Sequence, residues 1–439
     1  MATSYSAARS KLEDAASHIQ NNQDESKKHE SVTLAEAIGR FAARDYLSPI
    51  STPEFDTSAM DGYAISSSLT NLATPETPVF FCIRGTIAAG DKPKSIFPQD
   101  HMALESCVEI MTGARFPEGE EILDACIKVE DTVRISGKVP CIAVSKPVSR
   151  YANRRFAGED IQKGEVVLRK GTLIRSSHIM PLASVGIGAI EVFKKSKVCI
   201  WSTGNELTSE TSHVRDVNGV YLTAASQEAG AEATFMGSIQ DEVESLVRSI
   251  RERLEVSTTD IMITSGGVSV GKFDHVRQAL EILGAKIVFH GVSIRPGHPV
   301  LFALLPSPFG EVAFFGLPGN PGAAAACFKF LTVPYIRLLL GQKPEEPVLA
   351  RLENLELGSS AKKAIMDAPN RGLTCDRFRP GILDLTGRER TVHEAPSVLG
   401  PAKMKPFVQA NCWIHIEANE RLEAGQMVSS YPMNGPLIL

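Results

Sequence analysis

The chain has 439 residues, 43% of them hydrophobic and 22% charged, with a formal net charge of −5 at pH 7. That length implies two to four domains with ample material for hydrophobic cores, and the mildly acidic balance leaves no general nucleic-acid footprint. No apolar run in the sequence approaches the ~20 residues that span a bilayer, and the first stretch is polar rather than signal-like. The eight cysteines form no CxxC pair. The expectation is a cytoplasmic protein with reduced thiols, no disulfide framework, and neither membrane nor nucleic acid as partner. The ten histidines show no i, i+4 pairing, which argues against a histidine metal site.

Residues 5–22 carry a helical pattern, and a charged break at 23–31 precedes a second helical pattern at 34–46 that runs out toward Pro49. From 52 to 148 short apolar runs alternate with Gly and Pro clusters, as in FFCIRG at 80–85 and CIKVE at 126–130, which reads as a β-rich insertion. Residues 151–175 are irregular, returning the chain to the first domain. After Lys197 the rhythm becomes strand and helix in alternation, with strands at 198–202, 234–238, 261–265, 286–294 and 312–317 and helices at 221–229, 241–254 and 275–283. Near-continuous apolar strands in this alternation predict a doubly wound sheet buried on both faces. Asn320 and Pro321 are placed as the N-cap and first residue of an Ala-rich helix. Beyond Lys343 and Pro344, alternating segments at 348–357 and 381–385 predict a small all-β domain of about ninety residues.

The densest chemistry lies at ITSGGVSVGKFD, residues 263–274. An apolar strand runs into glycines and hydroxyls, then a carboxylate, the layout of an anion cradle in which backbone N–H groups and a helix start converge. Ser265 and Ser269 offer hydroxyls, and Asp274 can hold a metal ion or a ligand hydroxyl. Gly266, Gly271 and Lys272 fit part of a P-loop, but Phe273 stands where the magnesium-binding Ser or Thr is required. A plain turn from strand to helix remains open here, as it does for STGNEL at 202–207 and for the turn formers at 214–219. SAMDGYA at 58–64 sets Asp61 in a tight turn that its own side chain can cap. RPGHP at 295–299 holds two cationic side chains between prolines, which suits an anion clamp, with a solvated surface turn as the alternative.

These segments, together with IMTGA at 110–114, VEDT at 129–132, GED at 158–160 and GLPGNP at 316–321, resemble the molybdopterin molybdenumtransferase family, MoeA and the E domain of gephyrin, in register from Leu34 to about Gly425. The resemblance implies an α/β plus β chain: an elongated domain at 1–50 and 151–190, a β-rich inserted domain at 51–150, a molybdopterin-binding-type α/β domain at 191–343 and a C-terminal β-barrel at 344–439. It implies insertion of molybdate into adenylated molybdopterin with release of AMP, Mg²⁺ as cofactor, a homodimer, and a partner protein that adenylates molybdopterin.

By matching position, the resemblance assigns the pterin phosphate to Ser265, Gly266, Gly267, Ser269 and Gly271, with Asp216 and Asn218 fixing the pterin and Pro318 and Asn320 beside them. It assigns Asp274 and Glu206 to the divalent cation, and Asp241, Asp61 and Asp160 to the acidic lining of the cleft, the last two from the partner chain. Arg295, His298, Arg379 and Ser397 fall on the molybdate side. The departures fall there too. Two lysines usual in the family are Arg295 and His298 and a hydroxyl residue is Ala323; elsewhere Val217 stands where Ser is usual and Lys272 where an acidic or small residue is common. An arginine keeps the charge with different geometry, whereas a histidine is charged only conditionally. Two alternatives follow: a paralogue of specialised metabolism acting on another anionic or nucleotide-linked substrate, or a non-catalytic dimeric scaffold. Five retained carboxylates, Asp61, Asp160, Glu206, Asp241 and Asp274, weigh against the scaffold.

Overall fold

The computed structural model describes residues 2–22, 28–91, 105–117, 123–208, 214–256, 258–268, 274–353, 374–395, 403–420 and 423–433. Ser269, Gly271, Lys272 and Ser397 lie outside the described residues. Two compact units form: residues 1–44, 170–174 and 191–439 make the first, and 45–169 with 175–190 the second.

The first unit is built on a six-stranded sheet. Its strands are β1 (Lys197–Thr203), β2 (Glu232–Ile239), β3 (Ile261–Ser265), β4 (Lys286–His290), β5 (Leu301–Ser307) and β6 (Gly310–Leu317), in the order β2-β1-β3-β6-β5-β4. β2, β1, β3 and β6 run parallel, whereas β6-β5 and β5-β4 are antiparallel. The helices longer than one turn are α1 (Tyr5–Asn22), α2 (Asn218–Glu228), α3 (Val243–Val256), α4 (His275–Ile282) and α5 (Pro321–Cys327), which runs through a π turn at Phe328–Thr332 into α6 (Val333–Leu339).

The apolar strands divide by parity. Ile200, Ile261, Ile263, Phe302, Phe315 and Leu317 enter one core with α1, α2 and the α5–α6 run, while Trp201, Met262, Ala303, Leu305 and Phe314 enter a second core with α3 and α4. Successive residues of β1, β3 and most of β5 and β6 are therefore buried, because helices cover both faces of the sheet's centre, while edge strand β2 stays largely exposed. The run Pro321–Leu339 is long and apolar enough to cross a membrane by length and composition, but most of it is buried in the first core.

Two expectations fail in this unit. The helical pattern at 34–46 gives turns and isolated bridges: Gly39 sits at φ +78°, Ala42 N–H donates to Thr172 O, and Phe193 N–H donates to Phe41 O. Backbone pairing with distant segments outweighs local helix propensity there. The strand expected at 286–294 ends at His290, and β5, which the sequence reading did not find, adds antiparallel pairings to the doubly wound sheet.

The C-terminal part closes as a barrel of five strands, Val348–Leu352, Asp376–Asp384, Thr391–Glu394, Cys412–Ile416 and Met427–Pro432. Ile294–Arg295 adds in parallel to Asp376–Arg377, joining the barrel to the α/β part. At the same junction Phe330 stacks on Phe378 with centroids 3.8 Å apart, Phe378 stacks on His415 at 5.0 Å, and Tyr5 meets Phe378 edge-on at 5.3 Å.

The second unit carries a six-stranded sheet in the order Ala125–Lys128, Gly62–Ile65, Ser106–Ile110, Val79–Ile87, Cys141–Val144, Thr132–Ile135. Its core takes Tyr63, Ile65, Phe81, Cys107, Ile127, Ile142 and Val144 on one face and Ala64, Val108, Ile110 and Cys126 on the other.

Candidate functional site

Parallel strands β1, β3 and β6 end side by side, with Ser202 opposite Ser265 and Ser265 opposite Leu317. Their following loops share the carboxyl edge of the sheet, where open α/β sheets bind ligands. The tie between these loops is Asn218, the first residue of α2. Its Nδ2 donates to Ser265 Oγ at 2.7 Å and to Gly319 O at 2.7 Å, and the Ser265 hydroxyl donates in turn to Pro318 O at 3.2 Å. Asn218 and Ser265 are buried, and Asn218 Oδ1 has no hydrogen-bond partner among the described residues.

This refines the sequence reading. Asn218 and Ser265 spend their donors on holding the loops, and Gly266 N–H donates to Leu317 O at 2.9 Å, so the Ser265 hydroxyl and the Gly266 amide are framework rather than free anion donors. The glycines are dictated by space. Gly266 (φ +102°) would place a Cβ 2.4 Å from Thr203 O, and one on Gly267 (φ +66°) would lie 3.0 Å from Asp241 Oδ1. Only glycine allows this approach of backbone to neighbouring loop. Asp216 is also half committed: its Oδ1 accepts Gly219 N–H at 2.8 Å at the start of α2, while Oδ2 is buried with no partner among the described residues.

Carboxylates surround the glycine turn. Asp241 follows β2, receives support from Asn205 Oδ1 on its N–H at 3.1 Å, and faces His275 Nδ1 at 3.1 Å. Asp274 is the N-cap of α4, accepting Arg277 N–H at 3.2 Å through Oδ1, while Oδ2 lies 3.4 Å from His290 Nε2. Burial raises the Asp274 pKa, an effect that the Arg277 amide and His290 oppose. Glu206 is exposed, with its carboxylate over Gly204, where a Cβ would meet Oε1 at 2.5 Å. Asn205 lies in the STGNEL motif without having been given a role, whereas His275 and His290 escaped the sequence reading as site residues. His275 adjoins Asp274 and gave a weak cue, whereas His290 comes from β4 and gave none.

Among the described residues no three His, Cys, Asp or Glu side chains gather into a metal site. Mg²⁺ does not require one, since it keeps water and is held by one or two carboxylates together with substrate phosphates. Asp274 and Glu206 fit that donor chemistry.

The cationic turn sits at the other end of α5. Gly297 (φ +111°) packs so closely that a Cβ would lie 2.2 Å from Cys327 Sγ and 3.5 Å from Ala323 O. His298 Nδ1 lies 2.8 Å from Val292 O, and a carbonyl partner requires Nδ1–H as donor. Arg295 and His298 are both exposed, and Ala323 is buried. Arg379 lies on the barrel strand that pairs with Ile294–Arg295 and forms an ion pair with Glu394, and neighbouring Arg377 donates to Glu420 O at 2.5 Å. Pro318 is buried and Asn320 is exposed at the start of α5. Asn320 occupies the N-cap position, but its backbone oxygen, not its side chain, accepts the helix N–H groups.

In the second unit Asp61 Oδ1 accepts both Thr112 N–H at 2.7 Å and Thr112 Oγ1–H at 2.8 Å, and these bonds lower its pKa. Asp61 thus caps the distant IMTGA turn rather than its own. Asp160 is exposed, and its N–H donates to Thr52 O.

Comparison with known proteins covers nearly the whole chain. Residues 3–186 match "MoeA N-terminal region (domain I and II)" and residues 199–338 match "Probable molybdopterin binding domain". The molybdopterin molybdenumtransferase of Haemophilus influenzae is 31% identical over 414 residues, covering 92% of this chain and 94% of the relative. That of Synechococcus elongatus is 34% identical over 313 residues, covering 70% and 74%. Two solved structures of the MoeA protein of Pyrococcus horikoshii superpose with TM-score 0.73 at 29% and 24% identity, over 97% and 98% of this chain and 99% and 100% of theirs.

Proposed function

The chain belongs to the MoeA family of molybdopterin molybdenumtransferases, and on that premise we propose that it inserts molybdate into adenylated molybdopterin with release of AMP. It is a transferase of molybdenum cofactor biosynthesis. Neither a paralogue with another substrate nor a scaffold is favoured by relatives that match it over 92% of its length.

The observation that carries the finer reading is the Asn218–Ser265–Gly319 tie. It holds three loops at one edge of the sheet, where two glycines at positive φ sit against Thr203 and, for Gly267, beside Asp241. Such a rim accepts a phosphate-bearing ligand through backbone rather than side-chain bulk. Asp216 Oδ2 and Asn218 Oδ1, buried and unpartnered among the described residues, supply acceptors for the N–H groups of a pterin. A polyanion beside Asp241, Asp274 and Glu206 needs an intervening cation. Mg²⁺ held by Asp274 and Glu206 would neutralise charge on the phosphoanhydride. Arg295 supplies positive charge for the oxyanion, beside His298 and an Arg379 whose charge is shared with Glu394. Asp61 and Asp160 act from a second copy in a homodimer, a separate protein supplies the adenylated substrate, and the reaction takes place in the cytoplasm.

The test is molybdenum insertion by the purified chain given adenylated molybdopterin, Mg²⁺ and molybdate, read as AMP release and reconstitution of an apo-molybdoenzyme. Turnover that disappears in Asp274→Ala supports the reading. Tight binding of the adenylated pterin with no AMP release in the unaltered chain overturns it.

A further inference from the structure

Outside the site, the second unit holds an unusual pair. Cys82 and Cys141 face each other in register across the antiparallel strands Val79–Ile87 and Cys141–Val144, with their sulfurs 3.3 Å apart. The local hydrogen bonds define the register class. Ile83 N–H donates to Pro140 O at 2.9 Å, while Cys82 N–H turns to Glu105 O on the opposite neighbour. Cys82 and Cys141 are therefore a non-hydrogen-bonded pair, the position where Cα atoms approach to about 4.5 Å and side chains stand nearest. That separation lies inside the range a disulfide spans, roughly 4.4–6.8 Å.

The surroundings distinguish this pair from the five buried thiols, and its pairing distinguishes it from Cys375, which is also partly exposed. Both residues are partly exposed, whereas Cys107, on the adjoining strand, is fully buried with its pKa pushed up to about 12 by burial. Cys107 follows Ser106, which stands opposite Cys82, so strand alternation turns it to the other face, into the core with Phe81 and Ile142. Arg84, two residues along from Cys82, is bonded to Ser106 Oγ at 3.1 Å, and its charge opposes the rise of the Cys141 pKa. The thiol–thiol hydrogen bond is the larger influence on Cys141 and holds its pKa up.

We propose that Cys82 and Cys141 are a reversible oxidation site, joined as a cross-strand disulfide by an oxidant of the peroxide class. One thiol loses its proton and the thiolate attacks a peroxide oxygen; the O–O bond breaks, a sulfenic acid forms, and the departing hydroxide takes that proton as water. The second sulfur then attacks that sulfenic sulfur, the S–S bond forms, and hydroxide leaves to take the proton as a second water. Two electrons pass from the thiol pair to the peroxide, and two thiols plus one hydrogen peroxide give one disulfide plus two waters. Closing the bond requires the sulfurs to move together from 3.3 Å to about 2.05 Å, a shift that χ1 rotation of two partly exposed side chains supplies.

The experiment treats the reduced full-length chain with hydrogen peroxide, blocks remaining thiols with iodoacetamide and maps peptides without reduction. The expected result is a cross-linked peptide containing Cys82 and Cys141, a loss of two alkylatable thiols, and return of both on treatment with dithiothreitol. Cys107→Ser should leave the cross-link intact, and Cys82→Ser should abolish it. Sulfinic acid on either residue without a cross-link overturns the proposal. So does a disulfide to Cys107 or between two chains, or full alkylation at a peroxide dose that oxidises free thiol in solution. Because the primary readout uses the unaltered chain, a variant that folds poorly does not obscure the outcome.

Discussion

Asn218 Nδ2 lies 2.7 Å from Ser265 Oγ, joining the first turn of α2 to the end of β3 inside the protein. The same nitrogen holds Gly319 O, so one amide group sets the spacing of three loops. Asn218→Ala should therefore destabilise the chain by about 1–3 kcal/mol, the cost of stranding buried polar groups. A cycle of Asn218→Ala and Ser265→Ala, followed by urea unfolding, should give a coupling energy of at least about 0.5 kcal/mol. Strict additivity would show that the two residues do not act as a unit.

Asp274 combines a helix cap with a buried charge, and two variants separate them. Asp274→Ala should lose about 1 kcal/mol with the cap, whereas Asp274→Asn keeps a good N-cap and should lose little. Burial raises the folded-state pKa above the ordinary 3.8, so between the unfolded and folded values the native state holds the extra proton. Stability from this group should fall as pH rises through that acidic window and stay level above it. Asp274→Asn should flatten that part of the curve when melting temperature is followed against pH. Both variants should abolish insertion activity at neutral pH.

Gly297→Ala tests how the cationic turn is fixed. A Cβ 2.2 Å from Cys327 Sγ at φ +111° forces the turn off α5 and adds backbone strain, with an expected loss of about 1–3 kcal/mol. Cys327→Ala in the same chain should recover the steric part and leave the strain. No recovery in the melting temperature of the double variant would mean that the contact with Cys327 does not position the turn.

Arg295→Ala should weaken molybdate binding about tenfold or more, the worth of one charge-assisted hydrogen bond, with a smaller effect on binding of the adenylated pterin. His298→Lys restores a permanent cation and should tighten molybdate binding. Isothermal titration with each ligand separates the two sides of the site.

Asp61 is held ionised by Thr112. Thr112→Val removes the hydroxyl bond and should move the Asp61 titration upward, readable from its carboxyl carbon by NMR. Because a depressed carboxylate stabilises the fold above its unfolded pKa and loses that contribution as pH falls through the folded value, the variant should also lose a little acid resistance.

Much of the α/β part was legible because its strands are read by both cores: β3 ends at Ser265 as periodicity predicts. β5 was not, since LFALLPS carries a proline and an unbroken apolar run that fits several structures. The pattern at 34–46 misled because its partners, Thr172 and Glu191 to Phe193, lie far along the chain. At the site, residue identity was readable and commitment was not. Sequence shows that Ser265 and Asn218 are present, but not that each bonds the other before any ligand arrives. His290 beside Asp274 depended on a strand from elsewhere in the sheet, which no local spacing announces.

The ring stack of Phe330 on Phe378 and Phe378 on His415 carries a consequence for modular exchange. A barrel cut away after the α/β part would leave Phe330 and Tyr5 facing solvent, and a barrel grafted from a relative would have to present a flat ring at the same spot. The two parts therefore travel as a pair in recombination, and a chimaera joined near Lys343 inherits its solubility from whether those rings still find each other.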